Sequence, residues 1–264
     1  MKMSFRWYGD SDPVTLQYIS QIPAMRSVVS AVYSVPPGEV WPVEAIRDIK
    51  EKAAAHGLVF DIVESVPVHE DIKLGKPSRD KYIEVYRENI RRLGKEGIKV
   101  ICYNFMPVFD WLRSSLDYVN ADGSTSLIYR DEAVLAMDPR AGDLSLPGWD
   151  ASYTKEGLGK LLEEYKDIDD EALWANLKYF LERIMPVCDK YDINMAIHPD
   201  DPAWSVFGLP RIIINKKNIL RMMKMVDNPH NRVTFCSGSY GTNLENDLPD
   251  MIRSLTGRIH FAHV

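Results

Sequence analysis

The sequence predicts an α/β fold of the (β/α)8 barrel class. Short β-rich runs alternate with longer segments of helical periodicity, the pattern of βα units around a parallel sheet. The length of 264 residues agrees with the ~250 residues over which such barrels fold as one domain. Apolar residues make up 45% of the chain and charged residues 27%, enough for a sizeable core under an ordinary polar surface. Residues 1–264 are therefore expected to form a single barrel domain.

The strands are read in order from "FRWYG" (5–9), "SVVSAVY" (27–33), "LVFDIVES" (58–65), "KVICYNF" (99–105), "NMAIHP" (194–199), "RVTFCSG" (232–238) and "IHFAHV" (259–264). Helices are read from "PVEAIRDIKEKAAAHG" (42–57), "SRDKYIEVYRENIRRLGKEG" (78–97), "DEALWANLKYFLERIMPVCDKYD" (170–192) and "KKNILRMMKMV" (216–226), where apolar residues recur every three or four positions. Gly57 and Gly97 stand where helix C-caps belong, just before the next strand.

Two features depart from a regular barrel. The closed form has eight strands, and the seventh apolar run continues to Val264. The last barrel unit is thus expected to be missing from this chain, as in a fragment or the ordered part of a longer protein. The connection after the fourth strand, residues 106–168, far exceeds an ordinary βα loop. Its Asp, Gly, Ser and Pro residues mixed with aromatics read as an excursion over the barrel mouth, either a lid or an oligomer contact.

The net charge of −6 and the scattered Lys and Arg argue against a nucleic-acid surface. No apolar run approaches the roughly 20 residues of a spanning helix, and the N-terminus lacks a signal-peptide core, so no membrane association and a cytoplasmic location are expected. Cys102, Cys188 and Cys236 are too few and too widely spaced for a disulfide framework; thiols or metal ligands are expected.

Barrel active sites are built at the C-terminal ends of the strands. There the sequence places His198, Cys236 and His263, on three successive strands. Imidazole and thiolate both bind divalent metals, and neighbouring strands lie about 5 Å apart, so one ion can touch all three. Taken singly, each has a plainer reading as a hydrogen-bonded rim histidine or a small buried hydrophobe; together they point to a shared metal. His260 competes with His263, since residues three apart on a strand face opposite sides. His56, at a helix C-terminus, and His230, in a turn, read as structural; His69 and Glu64 could reach the mouth or face solvent; Cys102 and Cys188 read as core.

Other strand-end groups suit an anionic, hydroxyl-rich substrate. Arg6 and Tyr8 can pair a carboxylate, Asn104 can bond hydroxyls, and Asp200 and Asp201 adjoin His198 in a loop stiffened by prolines. The alternative for each is a solvated rim residue.

The motifs "FRWYG" with "DPVTL", "GEVWP", "YNFMPVFDW", "IHPDDP" with "FGLPRI", "FCSGSYG" with "NDL", and "RIHFAHV" resemble the mannonate dehydratases of bacterial hexuronate catabolism, across essentially the whole chain. The resemblance implies a xylose-isomerase-like (β/α)8 barrel and a hydro-lyase that converts D-mannonate to 2-dehydro-3-deoxy-D-gluconate, a step of carbohydrate metabolism. It implies Mn²⁺, with Fe²⁺ or another divalent ion as the alternative, and carries the ligand role onto His198, Cys236 and His263. A fourth, aspartate ligand and the acid–base groups are expected beyond Val264. A thiolate ordinarily favours a softer ion than Mn²⁺, a tension that oxygen ligands would reduce. The other readings are a metal-dependent sugar isomerase or epimerase on the same barrel, or an inactive sugar-acid binding protein. The aromatics of 106–168 suggest a homo-oligomer.

Overall fold

The computed structural model describes residues 2–137, 139 and 155–264. In chain order, β1 (Met3–Arg6), α1 (Leu16–Ser20), β2 (Met25–Ser30), α2 (Val43–Ala55), β3 (Val59–Glu64), α3 (Glu70–Lys73), α4 (Arg79–Lys95) and β4 (Val100–Tyr103) come first. A hairpin of β5 (Ser115–Val119) and β6 (Thr125–Ile128) follows, with α5 (Asp131–Leu135) and α6 (Lys155–Glu164). Next come α7 (Asp170–Tyr191), β7 (Asn194–Ile197), α8 (Lys216–Met225), β8 (Asn231–Cys236), α9 (Ser237–Gly241), α10 (Leu248–Ser254) and β9 (Ile259–His263).

The main sheet runs β1-β2-β3-β4-β7-β8-β9 with every neighbouring pair parallel, as the alternation of strands and helices predicts. The sheet curls. Val29, Ile62, Val100 and Ala196, from β2, β3, β4 and β7, form one buried cluster, and Phe261 of β9 packs against it. His263 of β9 likewise reaches Glu64 of β3 at 3.2 Å, although three strands separate them in the sheet. Side chains that meet in this way line the interior of an α/β barrel.

Helices cover the outer face. The buried stripe Leu173, Leu177, Phe180, Leu181, Ile184 and Cys188 of α7 recurs at three- and four-residue spacing and packs into the main core. Burying each of the larger side chains contributes roughly 1.5–3 kcal/mol. Asp169 caps α7 by accepting the Ala172 N–H at 2.8 Å. Gly57 and Gly97 adopt the left-handed conformation, with φ of +71° and +87°, and end α2 and α4 as expected.

The excursion after β4 contains the hairpin, α5 and α6, which hydropathy alone did not resolve; residues 138 and 140–154 of the expected insertion lie outside the described residues. Its start and its end are both tied to α3. Glu70 accepts Lys73 Nζ at 2.7 Å, the Tyr165 hydroxyl at 2.6 Å and the Val108 N–H at 3.3 Å, while Lys73 also donates to Met106 O at 2.7 Å.

Candidate metal centre

The last residues of β8 and β9 and the residue that follows β7 converge at one end of the barrel. His198 follows β7 directly, its N–H bonded to Tyr103 O at 2.7 Å; Cys236 and His263 end β8 and β9 and are paired in the ladder. One ligand atom from each of these three residues lies within 4.8 Å of the other two. His260 is exposed on the outer face, so the choice between the two histidines of β9 falls on His263.

Surrounding groups fix how the ligand atoms point. His198 Nδ1 lies 2.7 Å from Pro199 O, so the ring donates there and presents Nε2 to the cluster. Cys236 caps α9, and its Sγ accepts the Ser239 N–H at 3.4 Å and the Ser239 hydroxyl at 3.2 Å. Glu64 Oε2 receives His263 Nε2 at 3.2 Å and Arg6 Nη1 at 2.6 Å.

Electrostatics follow from these contacts. Burial would raise the Cys236 thiol, but hydrogen bonds from His198 and His263 outweigh it and bring the group down to about 5, a thiolate at neutral pH. Burial disfavours charge on His263, yet its bonds to Cys236 and Glu64 hold it up at about 9; His198 is raised in the same way by Cys236. Burial also opposes the Glu64 charge, and His263 and Arg6 hold it down at about 2. A thiolate and a carboxylate thus draw positive charge to one point, where protons compete with a divalent cation. Two imidazoles and a thiolate, preset in orientation, fit such an ion.

The expected substrate groups divide into two sets. Arg6 stands beside the cluster, with Nε donating to the Tyr33 hydroxyl at 3.2 Å and the guanidinium 5.0 Å from the Tyr8 ring, which is 58% exposed. Asn104 follows β4, its Oδ1 accepting the Met106 N–H at 3.4 Å. Asp200 and Asp201 are turned into protein, only 1% and 7% exposed. Asp200 Oδ2 accepts the Ile213 N–H at 2.9 Å. Asp201 holds Arg113 at 2.8 and 3.1 Å and receives the Ser239 hydroxyl at 3.2 Å. Both acids thus make contacts within the protein around the loop after β7.

The remaining histidines and thiols hold structural positions. His69 caps α3 and stacks on Tyr82 with centroids 3.5 Å apart; His56 caps α2, with Nδ1 2.9 Å from Lys52 O; His230 lies 3.9 Å from Asp189. Burial keeps Cys102 and Cys188 protonated. Glu64 was only one of several candidates for the mouth in the sequence, and its strand-end position was the available signal. Arg113 and Ser239 carried none, because they reach the site through tertiary packing.

Comparison with known proteins follows the same lines. The family model described as D-mannonate dehydratase (UxuA) matches residues 1–264. A relative from Halalkalibacterium halodurans, "Mannonate dehydratase 2", is 55% identical over 265 residues, covering 100% of this chain and 77% of the relative. The crystal structure of mannonate dehydratase from Streptococcus suis serotype2 superposes with a TM-score of 0.92 at 46% identity, over 100% of this chain and 72% of that one. D-psicose 3-epimerase from Clostridium cellulolyticum H10 superposes with a TM-score of 0.64 at 12% identity, over 100% of this chain and 72% of that one, a likeness of fold alone.

Proposed function

Since the chain belongs to the D-mannonate dehydratase family, we propose that it removes water from D-mannonate to give 2-dehydro-3-deoxy-D-gluconate, with a divalent ion held by His198, Cys236 and His263. The convergence of these three ligand atoms within 4.8 Å supports the reading most directly.

Loss of the proton next to a carboxylate builds negative charge on the substrate, and a divalent ion supplies Lewis-acid stabilisation of that charge. The chain's own groups bind and orient. Arg6 is aligned for the substrate carboxylate by Glu64 and Tyr33, while the exposed Tyr8 ring and Asn104 offer contacts to the sugar-acid chain. Glu64 holds Arg6 and His263 with one carboxylate and so keeps the substrate-binding and ligand groups in register. Mn²⁺ is the proposed ion, as the family resemblance implies, although the thiolate also suits Fe²⁺.

The segment 106–168 is proposed to serve as a cover of the mouth within a single-domain chain, supported by the Arg113–Asp201 and Glu70–Tyr165 contacts that tie it there. A homo-oligomer and a cytoplasmic location complete the proposal. Among the described residues no helix is long and apolar enough to cross a membrane.

The test is to incubate the Mn²⁺-loaded protein separately with D-mannonate and with neutral ketohexoses. Formation of the 2-keto-3-deoxy acid from D-mannonate alone is expected. Interconversion of ketohexoses without attack on D-mannonate would place the chain with the epimerases that share its fold.

A further inference from the structure

We propose that the Ser239 hydroxyl tunes the Cys236 thiolate and that the Arg113–Asp201 ion pair governs how fully it does so, coupling the segment after β4 to the metal centre. This inference rests on the reading of Cys236 as a metal ligand.

Ser239 is 1% exposed in α9, and its Oγ lies 3.2 Å from Cys236 Sγ and 3.2 Å from Asp201 Oδ2. A hydroxyl carries one proton, so it can serve only one of these anions fully at a time. Arg113 settles the competition. Its guanidinium grips Asp201 through two bonds, at 2.8 and 3.1 Å, neutralising the carboxylate and weakening its pull on the serine proton. The sulfur can then take the Ser239 hydroxyl in addition to the Ser239 N–H at 3.4 Å.

The turn cannot easily drift from this arrangement. Ser239 O accepts the Thr242 hydroxyl at 2.7 Å, and the same Thr242 oxygen accepts the Ala203 N–H at 3.3 Å, which ties α9 to the loop that carries Asp201. Arg113, by contrast, belongs to the segment leading into β5, where it donates to Leu112 O at 2.7 Å and lies 5.4 Å from the Trp111 ring. Withdrawal of that segment takes the cation from Asp201, turns the Ser239 hydroxyl's hydrogen bond toward the carboxylate and leaves the thiolate more electron-rich. Arg113, Asp201 and Ser239 are positioning residues in this scheme. None of them needs to touch substrate.

The experiment follows the sulfur-to-metal charge-transfer band of the full-length protein loaded with Co²⁺, together with Co²⁺ affinity. A thiolate that loses a hydrogen bond is a stronger donor, so Ser239→Ala moves the band to longer wavelength, while loss of the group that orients the sulfur weakens Co²⁺ binding about 10-fold. Arg113→Ala shifts the band the same way, but adds nothing in the Ser239→Ala background, because the two act through one proton. Asp201→Asn removes the competing anion and leaves the band in place or moves it to shorter wavelength. General damage to the fold would move the Arg113 and Asp201 variants alike, so a shift to longer wavelength in Arg113→Ala without one in Asp201→Asn separates tuning from disruption. A band unmoved by Arg113→Ala, or moved equally in both backgrounds, overturns the proposal. Absence of any such band in the unsubstituted Co²⁺ protein is a different failure, because it removes Cys236 from the ligand set and the coupling with it.

Discussion

At the scale of single residues, the chain's three thiols should behave in two ways. Burial keeps Cys102 and Cys188 protonated, whereas Cys236, held at about 5, is a thiolate at neutral pH. In metal-stripped native protein, iodoacetamide should modify Cys236 alone, with a rate that stays level from pH 8 down to about 5 and falls below it, since protonation then removes the nucleophile. Added Mn²⁺ should protect it; peptide mass mapping reads both results. Replacing Glu64 by Gln removes the charge shared by Arg6 and His263, and should weaken metal binding roughly 10- to 100-fold while raising KM for D-mannonate. That His198, Cys236 and His263 converge was legible because they stand at the ends of successive barrel strands, where barrel chemistry collects. The buried roles of Asp200 and Asp201 were not, because they depend on Ile213, Arg113 and Ser239, which are distant in sequence.

At the scale of elements, the seven barrel strands were legible as short β-rich runs and four of the longer helices as period-3.6 patterns. The hairpin β5–β6, the short helices α1, α3, α5, α9 and α10, and α6 escaped because most are too brief to show a period and several are fixed by tertiary contacts. Gly94 illustrates a constraint that pattern reading passes over. It lies inside α4, where a Cβ would stand 2.6 Å from Tyr191 Cβ of α7. Gly94→Ala should therefore lower stability by about 1–3 kcal/mol through overpacking, despite the better helix propensity of alanine. Phe180→Ala, on the buried face of α7 against Tyr86 and Phe105, should cost about 3–5 kcal/mol. Denaturant titration measures both, and a stabilised Gly94→Ala variant would show that the two helices separate freely.

At the scale of the whole molecule, the curled parallel sheet brings groups from strands far apart in sequence to one mouth, so that Arg6 of β1, Glu64 of β3 and His263 of β9 form a continuous chain of contacts. The class of fold was legible from the alternation of elements. The curl of the sheet belongs to that class; which strand-end groups touch across it, as Glu64 and His263 do at 3.2 Å, was not legible, because the pairing depends on side-chain packing. An ion joining ligands from successive strands should also stabilise the fold, by about 2.7 kcal/mol at a concentration 100 times its Kd. The central claim, that His198, Cys236 and His263 hold the ion D-mannonate dehydration requires, is tested most directly by measuring bound metal and 2-keto-3-deoxy acid formation together in the same samples. Chelated protein, protein replenished with Mn²⁺ and the Cys236→Ser variant are compared. Activity should vanish on chelation, return in proportion to metal bound, and stay lost in Cys236→Ser with little metal retained; undiminished turnover in chelated, metal-depleted protein would contradict the account.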